Sequence, residues 1–164
     1  MSVPESCLDL SIDDILAALE MRMETEEVCN KQPLTKALEL CLSFAKDHNL
    51  QGLAETIKLE LDGYMIQPPS DRFVQLSYFD YGGQVINELH QYRVYPLVVG
   101  VRKLELHLKN GLTLMLPKQI LKFLSEVSGR EVDSGHVSPA EINKLLENVR
   151  NKFLQQFSSI KAQQ

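Results

Sequence analysis

The hydrophobic period of the chain changes at residues 63–69, and no other feature constrains the fold as strongly. Before this point, apolar residues recur three and four positions apart, which indicates amphipathic helices. The Pro68-Pro69 pair then excludes a continuing helix, because proline disfavours helical backbone at the residue before it. The next stretch, RFVQLSYFDY, is rich in aromatic and β-branched residues and predicts a strand. The chain must therefore combine helices with a sheet.

Three helices are predicted before the change. Ser11 is a suitable N-cap for the first, because a capping-box acid follows three residues later. Pro33 favours the first turn of the second helix, and the polar segment ETEEVCNKQP separates the two. The third helix ends at Gly63, which serves as its C′ residue. A short link joins the second and third helices, so we expect them to form a hairpin.

The second half of the chain alternates between strand and helix patterns. The glycine pair at 82–83 predicts a turn, QVINELHQYRVY a second strand, and REVDSGHV a loop. Pro117 opens a short helix that Gly129 ends. Ser138 caps the last helix, which has proline at its first position. One apolar stripe over residues 142–160 predicts that this helix is the longest and a main part of the core.

Pattern alone leaves two interpretations of YPLVVGVRKLELHLKNGLTLMLP open. Apolar residues from Leu97 to Leu108 recur at helical spacing, and Gly111 would end such a helix. Alternatively, leucines alternate on both sides of Asn110-Gly111, which is a strong hairpin pattern. The leucines exceed what one buried face needs, which favours a homo-oligomer.

Composition and charge bound the class of protein. With 164 residues, 44% of them hydrophobic and 24% charged, the chain resembles a folded domain with a real core. Its net charge of −5 argues mildly against nucleic-acid binding, which usually needs a basic surplus, although a local basic face is compatible with this sum. No stretch approaches the ~18 apolar residues of a membrane span, and MSVPESCLDL does not resemble a secretory signal. Three cysteines without a CxxC pair suit a reducing cytoplasm.

Motifs of known chemistry are missing from the sequence. The four histidines have no neighbouring ligand at a zinc spacing, and neither HExxH nor a Cys/His cluster occurs. GxGxxG, the Walker A motif and GxSxG are also absent. Cys41 lies on the apolar stripe of its helix, as a small core residue does. We therefore predict no catalytic residues, no metal site and no cofactor, and we favour a protein that is not an enzyme.

The stretch LELDGY places two carboxylates, Glu60 and Asp62, in the last turn of the third helix, where the helix dipole favours cations. Four arginines lie inside or beside apolar runs: Arg72, Arg93, Arg102 and Arg150. We expect Glu60 or Asp62 to pair with one of them. A charge-assisted hydrogen bond of ~1.5–3 kcal/mol would exceed the dipole penalty of ~0.3–1 kcal/mol. The alternative is a recognition patch around Asp62 and Tyr64.

The order of these features resembles the AbiTii family, named for an abortive-infection system of phage resistance in bacteria. The resemblance rests on AETIKLELDGY at the end of the helical hairpin, on YPLVVGVRKLELHLKNG, and on INKLLENVRNKFLQQF in the last helix. It covers about residues 34–160, and Asp62 stands where the family often carries asparagine. The sequence departs from the family at residues 155–157, where an LDWA-like continuation is common. Many members of the family also carry further domains.

The resemblance implies a mainly helical α+β fold, with about six helices and a small antiparallel β element in the middle. It favours a helix in residues 97–116, with an extended piece at 112–116. We expect a single such domain over residues 11–161, after a flexible lead-in at 1–10. The family-motif positions are candidate binding residues that hold the fold first and contact a partner second. They are Asp62, Gly63, Tyr64, Arg102 and Arg150.

The function that the resemblance implies is antiviral defence of the abortive-infection type. The chain would act in the bacterial cytoplasm as a non-catalytic sensor, adaptor or oligomerisation module. Its partner would be another protein or a second copy of this chain, with no nucleic acid and no membrane. Two other classes stay open. A toxin-like nuclease would need clustered acids or a histidine in a basic groove, whereas a neutralising partner of a toxin would use its acidic balance to mask a basic surface.

Overall fold

The computed structural model describes residues 11–22 and 32–163. Over these residues the chain forms six α-helices, two short 3-10 helices and four strands, which confirms a mainly helical α+β fold with a small antiparallel sheet. The predicted lead-in at 1–10 and most of the polar connector at 24–33 lie outside the described residues. In chain order the elements are α1 (Ile12–Glu20), α2 (Pro33–Asp47), α3 (Gln51–Asp62), β1 (Phe73–Asp80), β2 (Val94–Pro96), α4 (Val101–Leu106), β3 (Leu112–Leu114), α5 (Lys118–Ser128), β4 (Val132–Val137) and α6 (Pro139–Ala162).

These elements group into two compact units. The helical unit contains the described parts of Met1–Met65, Val99–Leu106 and Leu146–Gln164. The sheet unit contains Ile66–Val98 and His107–Leu145. The single domain expected over residues 11–161 stays a prediction beside this division.

In the helical unit, the helices begin where caps and proline predict. The Ser11 hydroxyl accepts from the Asp14 N–H at 3.1 Å, and the Asp14 carboxylate accepts from the Ser11 N–H, which completes the capping box of α1. Pro33 begins α2. Asn49, at φ +58°, lies in the link to α3, and α3 packs against α2 as expected of a hairpin. The unit's core includes Ile15, Leu19, Leu34, Leu38, Cys41, Ile57, Leu61, Val149, Phe153 and Phe157.

The sheet unit contains an antiparallel sheet in the strand order β2-β1-β4-β3. The predicted strand RFVQLSYFDY forms β1, in which the alternate side chains Val74, Leu76 and Tyr78 are buried. Gly83, at φ +80°, turns the chain after β1 as predicted. Strand β4 lies between β1 and β3, with Gly135 opposite Tyr78. Helix α5 packs against β4.

The second strand predicted over QVINELHQYRVY is wrong for most of its length. Asn87–Tyr92 forms 3-10 turns that are kinked at Leu89, whose φ of −110° and ψ of 30° are not helical, and only Val94–Pro96 is extended, as β2. The buried side chains Ile86 and Leu89 are three residues apart. This spacing does not fit the two-residue period of a strand.

The loop predicted over REVDSGHV is also wrong, because Val132–Val137 forms β4. Its glycine and polar residues have low strand propensity. Pairing with β1 and β3 supplies hydrogen bonds on both sides that no local pattern encodes. Gly135 suits the central position, because a Cβ there would lie 3.1 Å from Leu76 Cδ1.

Residues 97–116 contain a helix followed by a short strand. Helix α4 ends at Leu106, Gly111 takes φ +83°, and β3 follows. Because β3 pairs with β4 and not with the preceding leucines, the hairpin interpretation is wrong. Most leucines of the segment do not add to the exposed apolar surface. Four of them are buried: Leu97, Leu104, Leu112 and Leu116.

Candidate functional site

Four of the five family-motif residues come together where α3 ends and α4 begins. Gly63, which follows α3, forms a β-bridge with Val99. A Cβ on Gly100 would overlap the Leu61 carbonyl oxygen and would lie 2.6 Å from the Asp62 carbonyl carbon. Glycine at position 100 is therefore required for the close contact between the LELDGY and VVGVRK segments.

The exposed side of this contact carries an ion-pair network. Arg102 Nε donates to Asp62 Oδ1 at 2.9 Å, and Arg102 Nη1 pairs with Glu39 of α2. The hydrogen bond to Asp62, and after it the one to Glu39, raises the pKa of Arg102 above its ordinary value. The expectation that Asp62 pairs with an arginine is confirmed. Because all three side chains are substantially exposed, the network stabilises the fold only slightly.

Glu60 points away from this network and is fully buried. Its Oε2 accepts a hydrogen bond from Lys152 Nζ at 2.6 Å and another from the Tyr64 hydroxyl at 2.7 Å. Lys152 of α6 therefore compensates the negative charge of Glu60, and no sequence pattern predicted this pairing. A buried carboxylate is tolerated only when it is paired and hydrogen-bonded, so Tyr64 and Lys152 hold the fold here. Since Glu60 and Asp62 face different partners, they do not form an acid/base pair.

Gly63 has a backbone conformation that few other residues can adopt. Its φ of +113° and ψ of 161° fall in a region that is essentially restricted to glycine. The predicted positive φ is confirmed. The ψ differs from the left-handed helical value of a common C′ residue, and the chain leaves α3 in an extended direction toward Tyr64.

Arg150 lies apart from the other motif residues and closes the end of α1. It is buried, and its Nη1 donates to the carbonyl oxygens of Leu19 and, at 2.6 Å, Met21. Its Nε donates to Glu147 Oε2 at 3.2 Å, and Arg22 pairs with the same carboxylate. Burial lowers the pKa of Arg150 from its ordinary value. A cation at the C-terminus of a helix complements the helix dipole.

Glu105 is a structural residue that sequence reasoning missed. It is buried, and its carboxylate accepts from the N–H groups of Leu34 and Thr35 at 3.0 and 2.8 Å and from the Thr35 hydroxyl at 2.6 Å. The N-cap of α2, Gln32, makes no side-chain capping bond. The absence of Ser, Thr, Asp or Asn before Pro33 was the available signal, because uncapped N–H groups need an acceptor from elsewhere.

A small cavity, the Cys41 thiol and the possible metal ligands are the next candidates for a reactive site, and none of them has the features of one. A cavity of about 120 Å³ in the sheet unit is lined by His90 and Arg93 among others and includes no carboxylate. It is smaller than the ~300–1,000 Å³ of usual ligand pockets. Burial raises the pKa of the Cys41 thiol to about 12, so the thiol is protonated at neutral pH. Within residues 11–22 and 32–163, no group of three or more His, Cys, Asp or Glu side chains could hold a metal ion.

The helical unit has a wider groove of about 680 Å³ between the first turn of α3 and the second part of α6. Leucine, isoleucine and glutamine side chains supply much of its lining, and Lys152 also reaches it. Because Lys152 is already bonded to the buried Glu60, the groove presents mainly amide and apolar groups. Such a surface can accept a polypeptide, and the lining places no histidine or carboxylate beside its hydroxyl groups, Thr56 and Ser159.

Helix α5 of the sheet unit exposes apolar side chains in a regular row. Ile120, Phe123 and Val127 are 41%, 47% and 45% exposed, although Leu124 on the inner side is buried. The three residues follow the spacing of three and four that places them within roughly 60° of each other around the helix. We call these three residues the α5 ridge. Tyr92 extends the apolar surface, because its ring meets that of Phe123 edge to face at 5.3 Å.

Two further observations concern membrane-spanning helices and similarity to known proteins. In the part of the chain that the structure describes, every helix is too short or too polar to cross a bilayer. No family model, no curated protein and no solved structure matches the chain. The resemblance to the AbiTii family therefore stays a prediction.

Proposed function

We propose that this chain is a non-catalytic assembly module of an AbiTii-type antiviral defence system and works in the bacterial cytoplasm. Its task would be to bind another protein component, or a copy of itself, during phage infection. The α5 ridge is the observation that carries this proposal. Apolar side chains aligned on an exposed helix face are typical of surfaces that another polypeptide covers.

The arrangement at the end of α3 supports the same proposal. Asp62 and Tyr64 bond within the helical unit, and Arg150 binds backbone carbonyls of α1 and its C-cap. These side chains have structural tasks that explain their presence without a reaction. A nuclease would instead place carboxylates together, and Glu60 and Asp62 face in different directions.

Expression of the chain in bacteria tests whether it is a module or an effector. We expect normal growth after induction of the chain alone, because no reactive site is proposed. Growth arrest within one or two generations would overturn the proposal and favour a toxin-like effector.

A phage-plating assay then tests the defence role. Cells that carry the chain with its neighbouring genes should form fewer plaques than cells with an empty vector. Phe123→Glu should restore plaque formation, whereas Met65→Glu, which changes a side chain that is 95% exposed, should not. Equal plaque numbers with and without the intact gene set would contradict the defence role.

A further inference from the structure

The small cavity of the sheet unit lies at an interrupted edge of β1. It is lined by residues 76–78 of β1 and by six residues of the segment 85–93, and we call it the β1 cavity. Instead of a strand beside β1, residues 87–92 form 3-10 turns that are kinked at Leu89. The space between this segment and the edge of β1 has a volume of about 120 Å³. Since a cavity of roughly 150 Å³ can hold a ring of six carbon atoms, the β1 cavity can hold a slightly smaller molecule.

The interrupted edge leaves a backbone donor at the cavity wall. The Ile86 N–H donates to the Tyr78 carbonyl at 2.8 Å. The N–H of Tyr78 points to the same edge of β1 as this carbonyl, because both groups of one strand residue face the same neighbour. Within residues 66–98, no hydrogen bond crosses the edge to this N–H. A ligand in the β1 cavity can therefore accept a hydrogen bond from β1 itself.

Arg93 brings a positive charge to the cavity without a counter-ion. The side chain is half-buried, and its Nε donates to the Leu76 carbonyl at 2.8 Å. Within the described residues, no carboxylate pairs with Arg93. The two acids of residues 80–93, Asp80 and Glu88, pair with Arg130 instead. Because a partly buried charge is costly without a partner, a bound anion would stabilise this arrangement.

We propose that the β1 cavity binds a short-chain monocarboxylate of about two to four carbon atoms, a size that fits the cavity volume. The planar guanidinium of Arg93 matches the two oxygens of a carboxylate. His90 and Asn87, which also line the cavity, carry N–H donors for the same group. Both residues are exposed, so the charged end of the ligand lies near solvent.

The apolar part of the lining favours a carboxylate over an inorganic oxyanion. Leu76, Ile86 and Leu89 line the cavity and are buried. Phosphate carries oxygen on every side and would press some of these oxygens against apolar walls, where they lose their hydration. A short carboxylate instead has one charged end for Arg93 and an aliphatic end for the leucines. The site is separate from the α5 ridge and does not depend on the assembly role.

A titration of the isotope-labelled full chain with sodium propionate, followed by amide NMR at constant ionic strength, tests the site directly. We expect saturable shifts of amides in residues 76–78 and 85–93, with the Tyr78 amide among the largest. The dissociation constant should be on the order of 0.1–1 mM, because the ligand has few atoms. Saturable shifts confined to another surface, or no saturation at concentrations on the order of 10 mM, would overturn the proposal.

Three other compounds define the class of ligand. Propionamide has the shape of propionate without its charge and should bind at least tenfold more weakly. Inorganic phosphate should also bind more weakly, since it lacks an aliphatic end. N-acetylalanine imitates the end of a polypeptide and exceeds the cavity, so its binding should be weaker too. Tighter binding of any of the three than of propionate would overturn the assignment to a short free carboxylate.

Variants then test the role of Arg93. Arg93→Gln should weaken propionate binding about tenfold or more, because a charge-assisted hydrogen bond is lost. Lys118→Gln removes the same charge from an exposed position of the sheet unit that does not line the cavity and should bind like the unmodified chain. A folded Arg93→Gln chain with unchanged affinity would overturn the proposal.

A second variant keeps the test valid if thermal melting shows that Arg93→Gln does not fold. His90 is exposed, so His90→Ala should fold normally and weaken propionate binding about threefold. Unchanged affinity in His90→Ala, with Arg93→Gln unfolded, would overturn the proposal. The titrations need neither phage nor a second protein. A negative result would therefore leave the plating assay to judge the proposed function separately.

Discussion

The helical unit and the sheet unit differ in how far along the chain the partners of some backbone polar groups lie. In the helical unit, Glu105 caps α2 from 70 residues away, and Arg150 reaches the Leu19 carbonyl across 131 residues. At the turn after β1, Asp80 binds the N–H groups of residues only two and four positions ahead. Two helix ends of the helical unit are closed by distant charges, whereas the N–H groups of this turn are closed by the nearby Asp80, whose carboxylate also pairs with Arg130 50 positions away.

The difference follows from how each unit ends its elements. Helix ends leave N–H and carbonyl groups without partners, and α2 and α3 both begin without a side-chain cap of their own. A strand passes such groups to the next strand, so side chains are needed mainly at turns. A helical unit assembled from separate stretches of chain thus needs charged side chains that arrive from far away.

Glu105→Ala, which removes the distant cap of α2, should have the largest effect. We expect the free energy of unfolding to fall by roughly 3–5 kcal/mol, because buried donors of Leu34 and Thr35 lose their acceptor. Chemical denaturation followed by circular dichroism measures the loss. Glu55→Ala, on the exposed face of α3, is the matched control and should change stability little. A loss below about 1 kcal/mol would show that the distant cap is dispensable.

Gly100→Ala should have the next largest effect. The added Cβ would overlap the backbone at the end of α3, and such overpacking costs roughly 2–3 kcal/mol. Gly52→Ala is the control, because a Cβ there meets nothing within 4 Å and should stabilise α3 by up to ~1 kcal/mol. Equal melting temperatures for the two variants would contradict the tight contact between α3 and the segment before α4.

A smaller effect is expected from the acid titration of Asp80 in the sheet unit. The hydrogen bond from the Gln84 N–H, together with that from Arg130, lowers the pKa of Asp80. The ionised group therefore stabilises the fold above its unfolded pKa of ~3.9, and this stability is lost as the pH falls through the folded pKa. Urea denaturation between pH 7 and pH 3 should show a weaker acid dependence in Asp80→Asn. Asp133→Asn, which is exposed, should keep the dependence of the unmodified chain.

Asp62→Asn should have the smallest effect on stability, below ~1 kcal/mol, because the pair with Arg102 is exposed. Its melting temperature and its plaque reduction should be measured together. An unchanged melting temperature with lost defence would favour the recognition patch around Asp62 and Tyr64. A large loss of stability would instead show that the ion pair holds α3 and α4 together.

Much of the fold could be predicted because the relevant forces act locally. Ser11, Pro33 and Gly129 mark helix ends by their own backbone chemistry, and each end was predicted within a few residues. Strand β4 could not be predicted, because its pairing with β1 and β3 outweighs the weak propensity of Gly135 and its neighbours.

The site was predictable only in part for the same reason. The sequence predicted that Asp62 would pair with an arginine, since an acid at a helix C-terminus needs a cation. It did not identify Lys152 as the partner of Glu60, because the two residues are 92 positions apart. Glu105 lies within KLELHL, where nothing nearby distinguishes a cap from a surface acid.

The position of β4 between β1 and β3 has a consequence for synthesis of the chain. β1 leaves the ribosome early, but its central partner follows only after α4, β3 and α5 have been made. The helical unit can be completed only later, because the part of α6 from Leu146 onward belongs to it. Because β4 is made later, the edge of β1 that pairs with it is exposed during translation. Such distant pairings also raise the contact order and slow folding. Charged residues or a bound chaperone at this edge would reduce aggregation until β4 has been made.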